Sequence, residues 1–141
     1  MNLNSAIKVL RQHQLKATSV RIGLLQLLAK KSTGISFAMI KQEFDMKLNS
    51  VTLYRVLKNF EAIRLIHKVL DSGGTANYML SLDDASKSKH QQHMHFNCTQ
   101  CNNIFCLNEL SVPHFYLPED FQTEFVGVTL IGICPGCNIM V

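Results

Sequence analysis

The chain contains, at residues 49–60, the stretch NSVTLYRVLKNF, which has the pattern of a capped amphipathic helix. Asn49 and Ser50 are residue types that cap helix N-termini, because their side-chain oxygens accept hydrogen bonds from the first free backbone N–H groups. Apolar side chains recur after them at helical spacing and predict an inward face made of Val51, Tyr54, Leu57 and Phe60. The sequence therefore predicts a capped helix with one polar face.

Shorter helices are predicted before this one. Thr18 and Ser36 are candidate N-caps of two of them, and an amphipathic helix over residues 3–15 comes first. After residue 60 the pattern changes to two strand-like runs, residues 65–70 and 77–80, joined by a turn signal at Asp71-Ser72-Gly73-Gly74. Helices followed by a β-hairpin are the order of a winged helix, whose last helix enters the major groove of DNA while the hairpin touches the backbone.

The early part of the predicted recognition helix offers hydroxyl groups and a guanidinium, which suit phosphates and base edges. The candidate DNA-binding residues on this helix are Ser50, Thr52, Tyr54 and Arg55. Tyr54 has a competing interpretation as a core residue, because it also falls on the predicted apolar face.

Charge is distributed unevenly along the 141 residues. Residues 1–70 carry 12 Lys and Arg against 3 Asp and Glu (+9), whereas residues 71–141 carry 2 against 7 (−5). This asymmetry favours contact between the first half and a polyanion, with a merely solvated basic surface as the alternative. No leader and no apolar run of membrane-spanning length is apparent, so we expect a cytoplasmic protein without a membrane partner.

All five cysteines lie in the second half, and four form the pairs Cys98-x-x-Cys101 and Cys134-x-x-Cys137. Two intervening residues let both sulfurs of a pair reach one ion, so the two pairs predict a tetrahedral structural Zn²⁺ site. A catalytic zinc would need an open position, and no nucleophile–base pair is visible. We therefore expect neither an enzyme nor a small-molecule substrate.

Four motifs in register resemble the ferric uptake regulator superfamily. They are Leu15-Lys16-Ala17-Thr18-x-x-Arg21, Val51-Thr52-Leu53-Tyr54-Arg55-Val56-Leu57, His93-x-His95-x-x-Cys98-x-x-Cys101 and Cys134-x-x-Cys137. The resemblance implies an N-terminal winged-helix DNA-binding domain, a C-terminal α/β dimerisation domain, and regulation by a divalent metal or by peroxide. The predicted fold class is α+β, with the first domain at residues 1–80, a hinge at 81–92, and the dimerisation and metal-binding domain at 93–141.

The same resemblance implies further DNA contacts in the first domain: Lys16 to the minor groove or the backbone, Thr18 and Arg21 to phosphates. In the family, the two sheets of the second domains pair across a two-fold axis. The implied partners are therefore a second copy of the chain and double-stranded DNA with a pseudo-palindromic operator.

A regulatory metal site is implied as well, with the ligands His67, His93, His95 and Cys106. His93 and His95 are alternate residues, which share a face if they lie on one strand. Cys106 stands where the family often has a carboxylate, and His67 resembles a ligand position of the zinc-responsive branch. Alternative roles are a surface position for His67 and a small buried hydrophobe for Cys106.

Departures from the family pattern bear on the metal. Gly34 and Ile133 replace histidine ligands found in many relatives, and Met79 replaces an acidic ligand of iron and peroxide sensors. The remaining nitrogen and thiolate donors suit zinc better than manganese or ferrous iron. The sequence thus predicts a zinc-responsive repressor of metal homeostasis genes. An iron- or peroxide-responsive regulator and a zinc-ribbon interaction module are the alternatives.

If ligands come from both sides of the charge boundary near residue 70, a bound metal would select one relative orientation of the two domains. Metal binding and operator binding would then be reciprocally coupled.

Overall fold

The computed structural model describes residues 1–44, 49–81, 93–123 and 126–139, except for the side chain of His93. The chain divides into two compact units, Met1–Leu82 and Asp83–Val141. The predicted hinge at 81–92 lies outside the described residues apart from Ser81. Helices and strands are both present, which confirms the α+β class. None of the helices in the described ranges has the length and apolar character needed to cross a membrane.

Helices precede the hairpin in the first unit, as the capping residues predict. Thr18, Ser36 and Asn49 each accept a hydrogen bond from the backbone N–H of a residue in the first turn of the helix that follows. The elements described in this unit are α1 (Leu3–Gln12), α2 (Ser19–Lys30), β1 (Ile35–Ser36), α3 (Phe37–Glu43), α4 (Ser50–Ala62), β2 (Ile66–Leu70) and β3 (Ala76–Leu80).

The hairpin of β2 and β3 is the wing, and the short strand β1, which the sequence pattern did not predict, joins its β3 edge. All pairs are antiparallel, with Ile66 opposite Leu80 and Leu70 opposite Ala76. At the tip, one carboxylate oxygen of Asp71 accepts hydrogen bonds from the N–H groups of Gly73 and Thr75, both at 2.9 Å. Gly74 has φ +82°, a conformation that favours glycine, so the predicted turn is confirmed.

A single apolar core fills the first unit, and α4 faces it with a different row of side chains from the one predicted. Leu53, Leu57 and Phe60 are buried, whereas Val51 and Tyr54 are exposed. Spacings of four and three keep residues on one helix face, while repeated steps of three rotate away from it by about 60° each. The predicted inward face of α4 was therefore wrong at its first two positions.

The second unit contains a three-stranded sheet in its described part, with the order β5-β4-β6. Its strands are β4 (His93–Cys98), β5 (Ile104–Ser111) and β6 (Thr129–Gly132). β4 pairs with β5 antiparallel and with β6 parallel. Among the described residues of this unit only Asn97, Cys98, Ile104 and Cys134 are buried, so its apolar core is very small.

The apolar runs at residues 125–126 and 128–133 predict a well-buried last strand over residues 123–134, and the structure differs from this prediction. β6 covers four residues, and Leu130, Ile131 and Ile133 are 41%, 63% and 46% exposed. The reason is its place at the edge of the sheet, where it pairs only with β4 within the described part of the chain. Phe125, part of the same predicted run, lies outside the described residues.

Candidate metal centre and nucleic-acid interface

The four paired cysteines meet at one end of the sheet in the second unit. The sulfurs of Cys98, Cys101, Cys134 and Cys137 all lie within 4.8 Å of one another, and those of Cys101 and Cys134 are 3.8 Å apart. A tetrahedron with zinc–sulfur bonds of about 2.3 Å has edges of about 3.8 Å. The sulfur positions therefore fit a tetrahedral zinc ion, and Cys98, Cys101, Cys134 and Cys137 are the residues that would hold it.

Two turns at adjacent strand ends bring these cysteines together. Cys98 ends β4, beside Gly132 at the end of β6, so that Cys134 follows within two residues. The backbone N–H and the hydroxyl of Thr99 both donate to the carbonyl of Gly132, at 2.8 and 3.2 Å, and fasten the first turn to β6. In the second turn the N–H of Cys137 donates to the carbonyl of Cys134 at 3.0 Å.

Electrostatics of the cluster favour a cation among the sulfurs. The backbone N–H groups of Cys101 and Cys134 donate to the sulfur of Cys98 and lower the pKa of this thiol to about 6. Hydrogen bonding to the thiol of Cys134 and burial raise the pKa of Cys137 to about 12. The thiol of Cys98 thus ionises readily at neutral pH, whereas the raised pKa of Cys137 opposes a second thiolate beside it. A divalent cation among the sulfurs would stabilise the thiolates and remove this opposition.

His95 and Cys106 form a second pair of candidate ligands in the same sheet. They are directly opposite each other on β4 and β5, both are half-buried, and their ligand atoms lie within 4.8 Å of one another. His93 begins β4 at a point where the register with β5 is irregular, and its side chain lies outside the described part.

His67, the remaining predicted ligand, lies in β2 of the first unit. It is half-buried, with Nδ1 2.6 Å from the hydroxyl oxygen of Ser81, and its backbone faces Met79 across the hairpin. Its role as a metal ligand stays a prediction.

The candidate nucleic-acid interface is the exposed face of α4. Thr52, Tyr54 and Arg55 are exposed on it, and Ser50 is half-buried at its first turn. Tyr54 is 48% exposed, so its interpretation as a core residue was wrong. Its ring instead meets the ring of Phe37 edge-on, with 6.2 Å between centroids.

Lys16, Thr18 and Arg21 come together at the start of α2. The hydroxyl of Thr18 accepts from the backbone N–H of Arg21 at 3.4 Å, and Nη1 of Arg21 donates to the carbonyl of Lys16 at 3.0 Å. Lys16 and Thr18 are exposed and Arg21 is half-buried. The arginine thus fixes the backbone that carries Lys16, while its other N–H groups remain able to donate.

The prediction missed Lys58, which shares the exposed face of α4. It follows Tyr54 by four residues and Arg55 by three, and its ammonium lies 5.5 Å from the centre of the Tyr54 ring. Helical spacing from Tyr54 was a sufficient signal, but the prediction considered only the first turns of the helix.

Comparison with known proteins agrees with these features. Residues 12–115 match the ferric uptake regulator family. No curated protein sequence matches the chain.

Solved structures of the same fold include holo XcZur, a zinc uptake regulator complexed with zinc and DNA, and the Vibrio cholerae ferric uptake regulator. For holo XcZur the TM-score is 0.67 at 17% identity, covering 96% of this chain and 95% of that chain. For the zinc uptake regulator the TM-score is 0.66 at 18% identity, covering 96% of this chain and 91% of that chain. For the Vibrio cholerae protein the TM-score is 0.57 at 20% identity, covering 91% of this chain and 98% of that chain.

The family match spans most of the chain, and the structure places the winged helix and the four-cysteine cluster where the motifs predicted them. The chain therefore belongs to the ferric uptake regulator family.

Proposed function

We propose that this chain is a zinc-responsive repressor that binds operator DNA as a homodimer. The observation that carries the proposal is the exposure of Thr52, Tyr54 and Arg55 on α4 of a winged helix. The unit that contains this helix, residues 1–82, has 12 Lys and Arg against 4 Asp and Glu. A basic unit with such a helix suits the major groove and the phosphates beside it. A zinc uptake regulator with this fold is known in complex with zinc and DNA, which supports the same partners here.

The proposed structural cofactor is Zn²⁺ bound by Cys98, Cys101, Cys134 and Cys137. Four thiolates leave no open coordination position, so the ion stabilises the fold and supplies no catalysis. This arrangement supports a regulator and gives no support to an enzyme.

The proposed effector is a second Zn²⁺, with His93, His95 and Cys106 as ligands in the second unit. The proximity of the His95 and Cys106 ligand atoms supports this site, and imidazole with thiolate is a donor set that zinc accepts readily. His67 is the fourth ligand predicted from the sequence. Metal binding at this site would raise operator affinity by the usual coupling of about 1–3 kcal/mol.

The proposed partner is a second copy of the chain, bound through the second unit. Besides the exposed apolar residues of β6, Phe115, Tyr116 and Phe121 are 52%, 92% and 67% exposed. With roughly 200 Å² for each large apolar side chain, the three aromatic residues together with Leu130, Ile131 and Ile133 expose on the order of 700 Å². This is close to the ~800 Å² that each partner of a typical stable complex buries.

Ile131→Lys on β6 is expected to weaken the dimer roughly 100-fold, because burying an unpaired ammonium costs several kcal/mol. Sedimentation equilibrium of the zinc-loaded protein measures the effect. Leu70→Lys is the matched control, since Leu70 is similarly exposed (57% against 63%) but lies in the first unit. A dimer constant unchanged by Ile131→Lys would exclude this face as the interface.

The function is tested by selecting bound sequences from random duplex DNA with the purified protein, with and without zinc. We expect an enriched pseudo-palindrome in zinc only. Enrichment with ferrous iron under anaerobic conditions but not with zinc would contradict the proposed effector. Failure to enrich any sequence with either metal would contradict the proposed function.

Cys106→Ala is expected to abolish the response of operator binding to zinc, a loss of about 5- to 150-fold at saturating metal. The variant should bind one zinc ion fewer per chain than the unaltered protein and keep the ion of the four-cysteine site. His114→Ala, an exposed histidine of the same unit, is the control and should respond normally. A normal zinc response of Cys106→Ala would remove Cys106 from the site.

A further inference from the structure

Glu61 lies at the centre of a row of polar contacts that links α4 to the wing in the first unit. Its Oε2 is 3.7 Å from the ammonium of Lys58, and Oε1 is 3.6 Å from the ammonium of Lys68. Lys58 belongs to α4 and Lys68 to β2 of the wing. One carboxylate therefore pairs with two lysines and joins the proposed recognition helix to the wing.

The same row reaches Tyr54. The ammonium of Lys58 lies 5.5 Å from the centre of the Tyr54 ring, and the ring meets Phe37 edge-on from α3. Lys58 is thus held between the Glu61 carboxylate and the Tyr54 ring, and the Tyr54 ring is held between Lys58 and Phe37.

The charge of Glu61 raises the pKa of two neighbouring groups, Lys58 and Tyr78. Glu61, followed by Tyr54, raises the pKa of Lys58, so the ammonium stays protonated. Burial and then Glu61 raise the pKa of Tyr78, so that hydroxyl stays neutral. Glu61 is the one acidic residue in α4, and its side chain is only 30% exposed. Its carboxylate is therefore the negative charge that lies within ion-pair distance of both lysines.

We propose that Glu61 is a positioning residue that restrains Lys58 and Lys68 in the free protein, fixes the Tyr54 ring on the reading face, and thereby limits binding to random DNA. This inference rests on the proposed DNA-binding function. Affinity for random duplex DNA comes from cations that neutralise phosphates, and it varies with salt by a slope of about −0.9 for each phosphate neutralised. Two lysines paired with one carboxylate contribute less to this sequence-independent attraction than two lysines without it.

The test compares the zinc-loaded full chain with its Glu61→Gln variant, which keeps the size of the side chain and removes its charge. Fluorescence anisotropy measures affinity for random duplex DNA and for the selected operator between 50 and 300 mM salt. Glu61→Gln is expected to bind random DNA up to about tenfold more tightly at 0.1 M salt for each lysine released, with a salt slope steeper by about 1 to 2 per chain. Operator affinity should rise less, because the Tyr54 ring is no longer fixed.

Glu43→Gln is the matched control, because Glu43 is exposed at the end of α3 in the same unit and the change in net charge is identical. A double variant, Lys58→Gln with Glu61→Gln, should lose about half of the increase in salt slope. Thermal unfolding of each variant verifies the fold.

Equal gains for Glu43→Gln and Glu61→Gln, or a random-DNA affinity and salt slope unchanged in Glu61→Gln, would overturn the inference. Absence of operator preference in the unaltered protein would instead overturn the proposed function, while the random-DNA measurements would still report on Glu61.

Discussion

Cys98→Ser is expected to remove zinc from the second unit and to unfold that unit. The cysteine is fully buried and accepts a backbone N–H from Cys134, so it is central to the cluster. Structural zinc contributes on the order of 10 kcal/mol to small zinc modules, which is comparable to the whole stability of a typical domain. A unit whose described part buries so few apolar side chains has little else to hold it together.

Elemental analysis after dialysis against a chelator measures the zinc, and thermal unfolding with limited proteolysis reports on the second unit. Cys106→Ser is the matched control, because Cys106 lies outside the four-cysteine cluster. We expect one chelator-resistant zinc ion per chain in the unaltered protein and in this control, and none in Cys98→Ser. Retention of that ion by Cys98→Ser, with an unchanged melting temperature, would exclude a structural tetrathiolate.

Local interactions made much of this fold predictable. Thr18, Ser36 and Asn49 cap helices because a side-chain oxygen and an N–H two or three residues away are enough to define a helix start. The hairpin tip at Asp71 follows from the same short-range chemistry. The cysteine pairs were predictable for a related reason, since the spacing within each pair sets the reach of both sulfurs.

Features that depend on distant neighbours were not predictable. The exposure of Ile131 follows from its place on an edge strand, which no local pattern encodes. The need for glycine at position 132 was likewise not predictable from its sequence neighbours. A Cβ there would lie 3.1 Å from the Phe96 ring, and this proximity arises only because β6 pairs with β4. The strand β5 begins directly after the first cysteine turn, where no local pattern predicts a strand.

The exposed face of α4 was only partly predictable from the sequence. The cap and the period predict the helix, but two different sets of apolar side chains could form its inward face. The inward face consists of Leu53, Leu57 and Phe60, because spacings of four and three keep these residues over the core. Tyr54 is thereby exposed beside Arg55, and the proposed DNA contacts of both residues depend on this exposure.

Arg55→Ala is expected to weaken operator binding by about 30-fold to 10⁴-fold. A guanidinium that makes two hydrogen bonds to a base contributes about 1–3 kcal/mol, and a dimer that places two copies of α4 on DNA loses this twice. The side chain is exposed, so its removal should leave the melting temperature almost unchanged. Anisotropy titration with the selected operator and with random duplex DNA at one fixed salt concentration measures both affinities.

Two further variants separate geometry from charge. Arg55→Lys keeps the charge but loses the planar fork, so we expect it to recover random-DNA affinity and little of the operator preference. Arg11→Ala removes the same charge from the exposed surface of α1. It should weaken binding to both DNAs equally and only slightly, because an exposed, screened charge outside the recognition helix attracts DNA without regard to its sequence. If Arg55→Ala weakened operator and random DNA by the same factor, Arg55 would be a phosphate contact, and reading of the operator would have to come from other side chains of α4.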